Sequence, residues 1–320
     1  MTRLLVFMPV YNAGSYLAGA LQSILTQQDV DFDLLVLDDG STDDSAAILA
    51  EVTRQDSRVI LTKGQKSGPA AAMNRALAYG VASGYEYLAR TDADDINLPN
   101  RLRLQLALLE QQPNLAAVSG NAFYISEDSR VGASTVPTDP AMIRSEILSG
   151  HRGLIQGCSV FRISALQSIG GYREFFSHSE DADVFMRLAE KFELGNVGQY
   201  IYEIRLHRHS HSVHGVRRNT QLARYALVCS RQRRSGKAEL PLAAFLERPP
   251  LRDALWQWRE LAFLELWRRS LLSKHVIHKN ILKGLAALID PVRVRRRIER
   301  SLAAAKQRSA VPSSVTRGSK

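Results

Sequence analysis

Cysteine is almost missing from this chain: there are two in 320 residues, Cys158 and Cys229, far apart and outside any CxxC or Cys/His spacing. That scarcity excludes a disulfide framework and a cysteine-based zinc site, and it suits a reducing compartment. No stretch reaches eighteen apolar residues, so the sequence offers no transmembrane helix. A leader is not legible either. The apolar opening MTRLLVFMPVYN is interrupted by Pro9, lacks a small-residue cleavage site, and reads as a buried first strand. Where a nicotinamide dehydrogenase needs G-x-G-x-x-G after that strand, the chain has VYNAGS. What is present is the make-up of a folded protein, 45% apolar and 23% charged, with enough chain for one large domain or two smaller ones.

Charge is spread unevenly. Residues 1–220 carry 20 Lys/Arg against 25 Asp/Glu, net −5, whereas residues 221–320 carry 22 against 7, net +15. A boundary near 215–240 fits the polar, basic strings HSHSVHGVRRN and RQRRSGKAELP. Ahead of it the hydrophobic period alternates. Residues 3–10, 33–38, 58–62 and 85–90 predict buried strands. Between them a stripe of Leu17, Leu21, Ile24 and Leu25, the segment DDSAAILAEV from Asp43, and PAAAMNRALAYG from Pro69 predict helices. A β-α-β-α-β-α-β order predicts a largely parallel, Rossmann-like α/β sheet flanked by helices. Such sheets bind ligands at the carboxyl ends of their strands.

Three polar clusters fall at those ends: Pro9-Val10-Tyr11-Asn12, Asp38-Asp39-Gly40-Ser41 and Asp92-Ala93-Asp94-Asp95. Each has an ordinary alternative. Thr42 or Asp43 suits a helix cap, and Asp95 suits a cap for the helix after Pro99, with Arg101 and Arg103 as surface partners. Capping leaves Asp38, Asp39 and two of the three later aspartates unexplained. Crowded carboxylates repel unless something positive joins them. A D-x-D pair at a strand end suits Mg²⁺ or Mn²⁺, hard cations that keep waters and hold a diphosphate.

Taken together, PVYN at 9–12, SIL at 23–25 with Gln27, LDDGSTD at 37–43 and ARTDADD at 89–95 resemble the inverting glycosyltransferases of family 2, with the GT-A fold. The resemblance covers roughly residues 1–215 and implies a nucleotide-sugar donor, UDP- or dTDP-linked. It implies that Tyr11 and Asp39 hold the nucleobase within the donor-binding strings Pro9–Asn12, that Asp92 touches the ribose or the metal, and that Asp94 ligates the cation. It also implies a general base in the string GGYREFFSHSEDADVFMRL at 170–188, with Asp181 deprotonating the acceptor hydroxyl and Glu180 orienting the acceptor. Ser179 or Glu180 as a helix cap, with Asp181 complementing the dipole, is the structural alternative.

The histidines at 207, 209, 211 and 214 invite a zinc reading, but no second cluster supplies converging ligands. Arg205, His207, Ser210 and Ser212 match an R-x-H-x-x-S-x-S stretch of such transferases, which makes His207 a candidate metal or phosphate ligand. A solvated basic loop is the alternative. These strings divide the chain into a catalytic domain at 1–218 (donor half about 1–118, acceptor half about 119–218), a basic helical region at 219–308 and a tail at 309–320. Residues 250–300, rich in Trp, Leu, Arg and Lys, suit packing on the domain or an anionic membrane surface carrying a lipid-linked acceptor. Nucleic acid comes last, since no RNA- or DNA-binding motif is present. The expected location is cytoplasmic, peripheral at the inner face of the plasma membrane, in envelope polysaccharide or lipopolysaccharide synthesis. The competing reading is a non-catalytic nucleotide-sugar-binding module or inactive relative.

Overall fold

The computed structural model describes residues 4–247 apart from 65, 127–128, 152 and 208–215, together with isolated helical positions between 262 and 289. His209, Ser210, His211, Ser212, His214, most of 250–300 and the tail at 309–320 lie outside the described residues.

The first half follows the alternation read from the sequence: β1 (Leu4–Val10), α1 (Gly14–Leu25), β2 (Phe32–Asp38), α2 (Ser45–Gln55), β3 (Val59–Lys63), α3 (Pro69–Ala82) and β4 (Tyr87–Arg90). Pro69 opens α3 after Gly68, whose φ of 82° ends the preceding loop in a conformation glycine tolerates. There follow β5 (Ile96–Asn97), α4 (Arg101–Gln111), β6 (Leu115–Ser126), β7 (Ser129–Ser134), α5 (Pro140–Leu148), a 3-10 turn at Gln156–Cys158 and β8 (Val160–Arg162). The chain continues through α6 (Ile163–Ser168), α7 (Glu180–Lys191), β9 (Glu193–Arg205), α8 (Val216–Arg234) and α9 (Leu242–Glu247).

All the described strands join one mixed sheet in the order β3-β2-β1-β4-β8-β6-β9-β5, with β7 beside β6. β3, β2, β1 and β4 run parallel, as short β/α crossovers require. Antiparallel pairing enters with β8, which bridges β4 and β6. Both faces of β1 are covered. Leu4, Val6, Met8 and Val10 pack with α1, α2 and α4, while Leu5 and Phe7 pack with α3 and α7 on the other side. Burial on two faces explains why these strands read as unbroken apolar runs.

β1 has β2 on one side and β4 on the other, so the chain reverses its direction of growth across the sheet at β1. Loops leaving the carboxyl ends of β1 and β4 splay apart at such a point and open a crevice. The C-terminal helices fold back on the segment around α7. Tyr225 of α8 packs against Phe176 and Phe245, and its hydroxyl donates to the Leu240 carbonyl at 2.8 Å. Arg173 pairs with both oxygens of Glu239, and Arg233 bridges Glu190 and Glu239. Residues 216–247 are thereby tied to α7 by an ion-pair network as well as by apolar packing.

Candidate active site

The β1 and β2 ends are laced together by short polar side chains. Asn12, held at φ 51°, accepts the Thr42 N–H on Oδ1 at 2.8 Å, and its own N–H donates to Ser41 Oγ at 3.1 Å. Asp43 receives the Gly14 N–H on one oxygen and the Ser45 N–H on the other, so one carboxylate serves the first residues of both α1 and α2. The cap expected of Thr42 or Asp43 is not what forms: the N-cap of α2 is Asp44, without a side-chain cap bond, and Asp43 braces both helix starts from outside it. Asp38 is accounted for by the turn, its Oδ1 accepting the Ser41 N–H at 2.9 Å. Asp39 is different: its backbone N–H donates to the Val10 carbonyl, while its Oδ1 is buried without a hydrogen-bond partner. Beside it Gly64 approaches so closely that a Cβ there would lie 2.2 Å from Asp39 Oδ1. Tyr11 is 49% exposed, with Lys66 Nζ 4.5 Å from its ring centroid. Pro9 lies half-buried within β1, opposite Leu37. An exposed ring and a buried, unsatisfied carboxylate oxygen at adjoining strand ends form a fitting cradle for a planar base bearing an N–H.

The loop after β4 carries the other acids. His207 Nε2 stands 2.8 Å from Asp94 Oδ2, and the His207 ring packs 4.8 Å from that of Tyr16 in the first turn of α1. Arg205 donates its Nε to the Asp94 carbonyl, and its guanidinium lies 4.9 Å from the centroid of the same tyrosine ring. Through these contacts β9 closes the loop against the α1 end. Burial and the neighbouring Asp92 charge push the Asp94 carboxyl upward, with His207 partly offsetting them. Burial, Asp94 and Asp92 push Asp95 well above the carboxylate range. A site that strains to stay ionised is one that a cation relieves.

Among the described residues no group of three His, Cys, Asp or Glu side chains converges as a metal cage. Asp94 and His207 make an oxygen-nitrogen pair. Two protein ligands plus water and diphosphate oxygens match the open habit of Mg²⁺ and Mn²⁺, so the residues present fit such an ion.

Asp92 makes its own set of contacts. Its Oδ1 accepts Arg90 Nε at 2.9 Å, and its Oδ2 sits where a Cβ on Gly157 would come within 2.8 Å. The Arg90 guanidinium also donates to Gln156 Oε1 at 2.8 Å and reaches Glu180 Oε1 at 3.5 Å. Glu180 is the buried first residue of α7, and Asp181 follows it, half-buried, with Oδ1 accepting the Ala182 N–H at 2.8 Å. Burial and the Asp181 charge raise the Glu180 pKa to about 7, against the opposing pull of Arg90. The expected cap is not made: Ser179 is left-handed, and its hydroxyl donates to the Asn219 carbonyl on α8 at 2.8 Å.

Two further expectations are corrected. Asp95 does not cap α4, whose N-cap is Asn100 without a side-chain cap bond; it turns to β9 and accepts the Arg205 N–H at 2.8 Å. Arg101 is not a surface partner. It is wholly buried beneath the acidic loop, bonded to Gln105, Asn97 and the Arg90 carbonyl, and stacked 5.1 Å from the Tyr202 ring. Tyr202 in turn accepts the Asp92 N–H at 2.9 Å. Sequence reasoning missed Arg90, Gln156 and Tyr202 as site residues and noted Arg205 only within a motif. Arg90 carried a signal, since a charge closing a buried apolar strand needs partners.

The family model for glycosyl transferase family 2 matches residues 5–170. The chain belongs to that family. Relatives of this family 2 glycosyltransferase include a glycosyltransferase by name, EpsE of Bacillus subtilis, 30% identical over 205 residues, covering 62% of this chain and 72% of EpsE. The glucosyltransferase WfgD of Escherichia coli, named for UDP-Glc as donor and α-D-GlcNAc-diphosphoundecaprenol as acceptor, is 35% identical over 133 residues, 41% of this chain and 50% of WfgD. Staphylococcus aureus TarS 1–349 with UDP-GlcNAc superposes with TM-score 0.57 at 15% identity, over 93% of this chain and 88% of that one. The mannosyltransferase PcManGT of Pyrobaculum calidifontis, solved with GDP-Man and Mn²⁺, gives 0.56 at 18%, over 95% and 85%. The fold is of GT-A type.

Proposed function

We propose that this family 2 enzyme transfers a hexose from a UDP- or dTDP-linked donor, with inversion, to a hydroxyl of a glycan or lipid-linked acceptor in cell-envelope polysaccharide or lipopolysaccharide synthesis. The observation that carries this is the meeting, at one carboxyl edge, of the donor-loop acids and the α7 acids through the Asp92–Arg90–Glu180 chain. WfgD, a relative named for a diphosphoundecaprenol-linked acceptor, supports the substrate class.

In this reading Tyr11 stacks on the nucleobase and Asp39 Oδ1 accepts its N–H, while Pro9 and Asn12 shape the pocket floor. Asp92 would touch the ribose or metal, and Asp94 with His207 would hold Mg²⁺ or Mn²⁺. Bound there, the cation supplies positive charge against the departing diphosphate. The acceptor oxygen bonds to the anomeric carbon on the face opposite the diphosphate, and the bond to the diphosphate oxygen breaks with its electron pair. The hydroxyl proton passes to an Asp181 carboxylate oxygen, and Glu180 orients the acceptor. Attack from the far face inverts the configuration and needs no covalent sugar-enzyme intermediate. Residues 250–300 would bring the enzyme to an anionic membrane surface, peripheral at the cytoplasmic face; no helix among the described residues is long and apolar enough to cross a bilayer.

The test is Asp181→Asn assayed for UDP-sugar turnover and, by calorimetry, for UDP binding with Mn²⁺. Turnover should fall by roughly 10³-fold, with UDP affinity retained. Normal turnover refutes the base assignment. A wild-type protein that binds UDP yet turns over no donor would favour the non-catalytic module.

A further inference from the structure

Arg90 sits between two acids that come from different halves of the catalytic fold. Asp92 lies two residues on, in the loop after β4, and Glu180 stands at the start of α7, ninety residues later in the chain. The guanidinium touches both, at 2.9 Å and 3.5 Å, and is itself fixed by Gln156 at 2.8 Å. Gln156 is held in turn, its Nε2 donating to the Tyr172 hydroxyl at 3.2 Å. Tyr172 is pinned by a reciprocal pair with Asn74 of α3, N–H to Oδ1 at 2.8 Å and Nδ2–H to the carbonyl at 2.9 Å. The Gln156 support of this cation thereby traces back to α3. Gly157 completes it, since no side chain fits between that backbone and Asp92 Oδ2.

A planar fork that engages two carboxylates and an amide sets direction as well as charge, which a lysine ammonium does less well. Without it Asp92 and Glu180 would face each other as like charges across a poorly hydrated gap. We propose that Arg90 is a positioning residue that clamps the donor loop to the start of α7, setting where the Glu180 carboxylate stands relative to a bound donor. This rests on the sugar-transfer reading above. It adds that donor and acceptor sides are aligned by one side chain that contacts neither the nucleobase nor the Asp94–His207 pair.

The experiment compares wild type with Arg90→Met, Arg90→Lys and Gln156→Met. UDP binding with Mn²⁺ is read by calorimetry, and kcat and KM are read from UDP release by the UDP-sugar that the wild type consumes. Arg90→Met should lower kcat about 100-fold while KM for the donor and Kd for UDP stay within about threefold, the cost expected of a misplaced reacting geometry. Arg90→Lys should recover about a tenth of the wild-type kcat, and Gln156→Met should lose about tenfold in kcat with unchanged UDP affinity. UDP affinity that falls in step with kcat overturns the proposal, since Arg90 would then serve the donor loop alone. So does an Arg90→Met enzyme as fast as wild type, or a Lys variant no better than Met. If the Met variant fails to fold, Gln156→Met decides, and wild-type kcat there is the overturning result. A wild type that binds neither UDP nor dTDP sinks the sugar-transfer reading, and this inference falls with it.

Discussion

Adding a single methyl group at Gly64 should disable the proposed nucleobase cradle without touching the chemistry. The Cβ of Gly64→Ala would stand 2.2 Å from Asp39 Oδ1 and 3.1 Å from the Asp39 Cα. Ordinary contact needs roughly 1 Å more than the shorter of these, so the carboxylate must swing away. The backbone cannot easily take up the shift, because Gly64 N–H donates to the Asp38 carbonyl at 2.7 Å and Asp39 N–H donates to the Val10 carbonyl at 2.9 Å. The side chain therefore moves. A hydrogen bond to an ionised acceptor is worth about 1.5–3 kcal/mol, so UDP affinity should weaken by roughly 10- to 150-fold. Calorimetric titration of UDP with Mn²⁺ reads this directly, and thermal unfolding without ligand verifies that the variant is folded. UDP binding at wild-type strength in folded Gly64→Ala protein would show that Asp39 Oδ1 is not the nucleobase acceptor.

Further outcomes follow from the buried charges. Glu180 has its pKa raised from 4.5 to about 7, chiefly by burial and then by Asp181, against Arg90, with Asp92 adding to the rise. Because the folded-state pKa is the higher one, the stability it contributes is complete below pH 4.5 and is lost as pH rises through 7. Wild type should thus lose up to about 3 kcal/mol between pH 4.5 and pH 8.5 from this group, and Glu180→Gln should remove that slope in urea titrations. A slope unchanged in the variant refutes the assignment. Arg101→Met strands the polar groups of Asn97, Gln105 and the Arg90 carbonyl and should cost about 3–5 kcal/mol in equilibrium unfolding. A cost below about 1 kcal/mol would mean that water replaces the guanidinium there.

How much could be read in advance depended on the kind of signal. The β/α alternation was legible because β1, β2 and β4 are buried on both faces and so consist of unbroken apolar runs. Gln27, noted only as part of a motif, proves to be a strut: its Nε2 donates to the Leu98 carbonyl at 2.9 Å and its Oε1 accepts the Leu102 N–H at 3.2 Å. The acidic positions were visible as charge without an evident partner. Most of their partners were not, because Tyr202 and Arg205 reach the acidic loop across 110 and 111 residues of chain, and Arg90 meets Glu180 only once α7 is folded. Arg101 misled for a plain reason. A charged residue at a helix start is usually solvated, and only the tertiary fold shows Asn97, Gln105 and Tyr202 gathered around it.

Tyr202, Arg205 and His207 all lie beyond residue 170, where the family match ends, yet they brace the very loop that the match includes. Grafting a foreign C-terminal half onto residues 1–170 would take the prop from under Asp92 and Asp94. Swapping acceptor preference between relatives thus calls for crossovers that keep the end of β9 with its native N-terminal portion, and evolution faces the same restriction when it shuffles such enzymes.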